Sequence, residues 1–179
     1  MRVLAIIAGD AGDPSSLLSP LAEGADQLIA AAALDAGWRL GAVLPFDQSA
    51  YAATFDLPDA DRSRSELGRL TGAAAAPRGW GVVVLTGEAS VSGRDRAFLD
   101  CASWIIGRAD ILLAVLDAGD LVSQTALCVR EALDIGRAVA RLDPAAPWAV
   151  ELLEGERRLA DPEALARLGE LAAGIRART

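Results

Sequence analysis

The chain has 179 residues, 53% of them hydrophobic, with mean hydropathy +0.30 and a formal net charge of −8. That is enough apolar chain for one well-cored domain, and it argues against a disordered protein or a broad electrostatic nucleic-acid surface. Histidine is absent and all 17 basic residues are arginine, which removes P-loop and Schiff-base lysines, Ser-His-Asp and Cys-His nucleophiles, and His-containing metal sites.

Val3–Ala8 has strand propensity, yet only Gly9–Ser16 separates it from the next apolar run, too little for a parallel crossover. It reads either as an antiparallel strand or as the end of a helix. The same segment imitates a signal peptide, but Gly9-Asp10 ends it early and no cleavage site follows. No run approaches the roughly 20 apolar residues of a bilayer span, so no membrane partner and a cytoplasmic location are expected.

Apolar runs at 17–19, 39–46, 80–86, 109–117 and 138–142 read as buried strands. Helical spacing fills 22–36, 61–74, 94–108 and 122–136. The alternation predicts an α/β fold: a Rossmann-like, doubly wound, mostly parallel sheet in a single domain over 1–179. Beyond residue 144, Trp148–Leu153 and Arg157–Leu159 flank Glu154-Gly155 as a hairpin, and Pro162–Ile175 reads as a closing helix with Asp161 as N-cap. Residues 56–79 are polar and rich in small side chains, and read as a solvated connection; the alternative is a lid closing through Arg62, Arg64 or Arg69. Cys101 and Cys128 lie in apolar helical contexts and read as small buried hydrophobes.

The elbow between the first two strands of that alternation carries the functional signal. Small residues there let backbone N–H groups approach an anion, and the helix start favours negative charge. SPLAEGAD at 19–26, AVLPF at 42–46 followed by Tyr51 and Phe55, and ADILLAVLDAG at 109–119 together resemble the SLOG superfamily. This Rossmann-like group includes LOG-type phosphoribohydrolases, the DNA-processing protein A domain and sensors of nucleotide-derived ligands. The resemblance covers residues 16–144, and implies a ligand crevice at the carboxyl ends of the strands. It also implies a preceding strand ending in a Gly-His-Arg-like turn; the chain starts too late for one, which favours Val3–Ala8 as a helix remnant. Where relatives carry Gly-Gly-Thr followed by Glu, this chain has Ser123-Gln124-Thr125 and then Ala126-Leu127. Side chains in place of the glycines, and the missing Glu, argue against hydrolase activity.

On this resemblance the expected ligand-binding residues are Ser19, Ala22, Glu23, Gly24, Asp26, Pro45, Phe46, Asp117, Ser123, Gln124 and Thr125, with no cofactor and no metal. Each has a plainer reading. Gly24 allows close helix packing; Glu23 and Asp26 are first-turn carboxylates; Asp117 is a turn residue; Ser123 and Thr125 cap a helix; Phe46 is core. Three roles stay open: binding of a nucleotide-like small molecule, hydrolysis of a nucleoside monophosphate's N-glycosidic bond, or a ligand-free assembly protein. A homodimer through helices 94–108 and 122–136 is the expected assembly.

Overall fold

The computed structural model describes residues 15–117 and 119–176, and Val3–Ala8 and its alternative readings lie outside them. Contacts gather the described residues into two compact units that meet in sequence at Ile105–Ile106. The α/β expectation holds, with one three-stranded and one four-stranded sheet.

In the first unit, β1 (Ser16–Ser19), β2 (Arg39–Leu44) and β3 (Gly81–Val84) are parallel and lie in the order β1-β2-β3. Helix α1 (Ala25–Asp35) joins β1 to β2; the short α2 (Gln48–Ala52) and the longer α3 (Ala60–Ala75) join β2 to β3; α4 (Arg94–Ile106) follows. Strand alternation sorts β2 between two cores. Leu40, Ala42 and Leu44 face α1 and α3 with Leu67 and Leu70, whereas Val43 faces Cys101 and Ile105 of α4. The α4 side needs a glycine at 41, because a Cβ there would sit 2.7 Å from Leu18 Cδ2 and 2.9 Å from Trp80 Cε3.

Residues 56–79 are therefore not a solvated connection. Most of them form α3, whose Leu67 and Leu70 are fully buried while its opposite face stays polar. Nor is Arg64 a free lid residue. Its Nε and Nη2 donate to the Ala52 and Phe55 carbonyls at 3.0 and 2.7 Å, and Nη1 pairs with Asp61. Arg69 forks onto Glu66, one turn back on the same helix.

The second unit begins with β4 (Ile111–Val115), joined by α5 (Gln124–Asp134) to the parallel β5 (Ala138–Asp143). The hairpin and closing helix stand where the sequence places them. Strands β6 (Ala146–Glu154) and β7 (Arg157–Ala160) are antiparallel, and α6 (Glu163–Arg176) packs on them. Strand β6 also pairs antiparallel with β5, giving the order β4-β5-β6-β7. Asp143 makes that tight return possible, its Oδ1 accepting from Ala145 N at 2.8 Å. An ion pair between Arg141 and Glu151 at 2.7 Å links the two strands.

The helix faces assigned to a dimer are partly used inside each unit. Cys101 and Ile105 of α4 cover the first sheet, and Cys101 Sγ donates to the Val43 carbonyl. On α5, Ala126, Val129 and Ala132 are buried, whereas Val122, just before the helix, is exposed. Cys128 is half-buried.

Candidate functional site

Strands β1 and β2 run parallel, with Ser19 opposite Ala42, so the β1–α1 elbow and the Pro45–Phe46 turn follow the same end of the first sheet. Six residues shape the elbow. Ser19 is buried and its Oγ accepts from Leu21 N at 3.0 Å. Leu21 is fully buried at φ 57, a left-handed conformation that costs a branched side chain energy and survives only where its surroundings enforce it. Gln27 supplies that enforcement from the buried face of α1, donating from Nε2 to the Leu21 carbonyl at 3.3 Å and to the Ser63 carbonyl at 3.0 Å. Ala22 N donates to Asp26 Oδ2 at 3.4 Å. Gly24 stands at φ 93, ψ −118, a region open in practice to glycine alone.

Glu23 divides its carboxylate between two tasks. Oε2 accepts from the Asp56 and Leu57 amides, both at 3.0 Å, and ties the loop ahead of α3 to the elbow. Oε1 is buried and has no hydrogen-bond partner. The backbone N–H groups of Glu23 and Gly24 likewise make no hydrogen bond among the described residues. A Cβ built on Gly24 would meet only Leu57 Cδ1, at 4.0 Å. Two amide donors without partners and one buried, unpartnered carboxylate oxygen thus lie at one strand tip.

Pro45 and Phe46 stand behind the elbow as support. Pro45 is fully buried, its carbonyl accepting from Gly87 N at 3.0 Å. Phe46 is buried between Phe98, stacked at 5.9 Å, and Tyr51, edge-on at 5.8 Å. Phe46 is buried in the core cluster of the first unit, where it packs as core. Sequence reasoning missed Gln27 as a site-shaping residue; a glutamine on the apolar face of α1 is the one signal that pointed to a buried polar contact.

Burial pushes the Asp26 carboxyl from its ordinary 3.8 up to about 6, with the Ala22 amide acting weakly the other way. Burial, and after it the Asp26 charge, hold the Tyr51 phenol well above its usual value, so it stays protonated. Between pH 3.8 and about 6 the folded chain keeps the Asp26 proton that the unfolded chain has lost, so this group lowers stability as pH rises through that window. Asp26→Asn is expected to stabilise the protein at pH 8 by up to about 3 kcal/mol and to add nothing at pH 3.5. Thermal unfolding of both proteins at the two pH values checks this, and an equal gain at both contradicts it.

In the second unit, Asp117, Ser123, Gln124 and Thr125 lie past the end of β4, at the start of α5. Here the turn satisfies itself. Asp117 Oδ1 accepts from Gly119 N at 2.7 Å, and Asp120 Oδ1 accepts from the Val122 and Ser123 amides at 3.1 and 3.0 Å. The Ser123 hydroxyl and these amides hold the Asp120 carboxyl below its ordinary range. Ser123 Oγ caps α5 by accepting from Ala126 N at 3.2 Å. Gln124 is exposed and Thr125 half-buried. Asp117 and Asp120 thus take up the Gly119, Val122 and Ser123 amides of this turn. The structure brings Ser19, Ala22, Glu23, Gly24 and Asp26 together at one edge of the first sheet, and that elbow retains unused donors.

Among the described residues, no group of three or more Asp, Glu or Cys side chains is arranged to hold a metal, and no helix is long and apolar enough to cross a membrane. Comparison of the chain with protein-family models, with curated proteins and with solved structures finds no match.

Proposed function

We propose that the β1–α1 elbow binds a nucleotide or a nucleotide-derived small molecule. The observation that carries this reading is the coincidence of the unpartnered Glu23 Oε1 with the free Glu23 and Gly24 amides. The amides suit an anionic oxygen, such as a phosphate's, and the helix behind them adds its positive end. The carboxylate suits a donor, such as a ribose hydroxyl or a base N–H. A ligand offering both kinds of group satisfies the elbow better than a bare anion, which Glu23 and Asp26 would oppose. The resemblance of SPLAEGAD to SLOG-type proteins supports the same class of ligand.

Glu23→Gln tests this with little disturbance, because the amide oxygen still accepts from Asp56 and Leu57 while the other atom becomes a donor. Native mass spectrometry of the purified protein is expected to show a nucleotide-like adduct that is reduced at least tenfold in Glu23→Gln, equivalent to about 1.4 kcal/mol. An adduct undiminished in the variant rules the elbow out.

A further inference from the structure

A cavity of about 260 Å3 lies wholly within the second unit, at the end of the sheet where β4 and β5 begin. Asp110 precedes Ile111 of β4, and Arg137 precedes Ala138 of β5. Glu154 at the β6–β7 turn and the last turns of α6, through Leu171 and Ile175, complete the wall.

The charged groups here are unequally committed. Both Glu154 oxygens accept from Arg167, at 3.0 and 3.1 Å, so its charge is matched. Arg137 donates from Nη2 to the Gly107 carbonyl at 3.3 Å, while its buried Nε–H has no partner. Asp110 is exposed and makes no hydrogen bond or ion pair among the described residues. Arg137 and Asp110 therefore line the same small cavity without an ion pair between them, beside Ile111, Leu171 and Ile175.

A simple anion would satisfy Arg137 and be opposed by Asp110; a simple amine would meet the reverse. A ligand with both charges and a short apolar body matches all three kinds of wall. The volume falls below the roughly 300–1,000 Å3 of pockets for drug-sized molecules, which restricts the ligand to a small metabolite. We propose that this cavity binds a small aliphatic α-amino acid, its carboxylate on Arg137, its ammonium on Asp110 and its side chain against Leu171 and Ile175. Guanidinium–carboxylate contact is charge-assisted and geometrically selective, which favours a carboxylate at that end. The proposal is independent of the nucleotide reading at the elbow.

Titration calorimetry of the full chain with L-leucine tests it. Saturable binding is expected, with at least tenfold weaker binding of 4-methylpentanoate, which lacks the ammonium, and of 3-methylbutylamine, which lacks the carboxylate. Asp110→Asn and Arg137→Gln are each expected to weaken leucine binding tenfold or more, and Glu23→Gln to leave it unchanged. If Arg137→Gln does not fold, the exposed Asp110 position decides. Absence of leucine binding up to about 10 mM, equal binding of all three compounds, full affinity in Asp110→Asn, or loss of binding in Glu23→Gln would each overturn the proposal.

Discussion

Leu168→Ala is expected to lower the unfolding free energy by about 2–5 kcal/mol, near the top of what a single truncation removes. Leu168 is fully buried on α6, within a cluster that includes Leu142 of β5, Val150 and Leu152 of β6 and Leu159 of β7. A cavity at that point opens beneath the β6–β7 hairpin on which α6 packs, and the strands cannot close over it without breaking their ladders. Urea unfolding followed by far-ultraviolet circular dichroism measures the loss. A change below about 0.5 kcal/mol, the range of surface substitutions, would mean that α6 is a loosely attached helix and not the cover of the second sheet.

Gly87→Ala is expected to cost about 2–3 kcal/mol and to disturb the elbow as well. A Cβ at position 87 would lie 2.4 Å from the Pro45 carbonyl oxygen and 2.6 Å from Ala97 Cβ. Neither neighbour is a flexible side-chain end, so relief requires movement of backbone. The hydrogen bond from Gly87 N to Pro45 O is the first casualty, and Phe46, packed against Phe98 of α4, follows. Glu23→Gln perturbs the ligand groups alone, whereas Gly87→Ala perturbs their support. Reduced stability together with reduced ligand retention is the expected signature. An alanine variant as stable as the parent would contradict the close approach of the two turns.

Much of the architecture was legible because it is written in long, periodic segments. The apolar runs 39–46 and 109–117 contain β2 and β4, and the spacing of Phe98, Cys101 and Ile105 places α4. The misses share a cause: contacts local in space but not in sequence. Five-residue α2 is too short to show a period, and its one signal is Asp47, whose Oδ1 accepts from the Ser49 and Ala50 amides. Pairing of β6 with β5 was hidden because Pro144 and Pro147 break the apolar pattern that the hairpin bridges. Residues 56–79 looked solvated because charged side chains outnumber the Leu67–Leu70 stripe that anchors α3. At the site, SPLAEGAD announced a tight elbow, and Gly24 fulfils it at φ 93. The anchoring of Gln27 on Ser63 and the split use of Glu23 follow from neighbours 33 to 36 residues away, which no local pattern displays. Ser123-Gln124-Thr125 read as a second ligand turn; in the structure Asp117 and Asp120 accept from the Gly119 and Ser123 amides ahead of it, and Ser123 caps α5.

Central to this account is an unoccupied acceptor and two unoccupied donors at the first strand's tip. Calorimetric titration of the wild-type chain and Glu23→Gln with AMP, GMP, CMP and UMP examines them directly. At least one nucleotide is expected to bind the wild type saturably and the variant at least tenfold more weakly, with Asp117→Asn matching the wild type. Identical isotherms for wild type and Glu23→Gln, or no heat from any of the four, would contradict it.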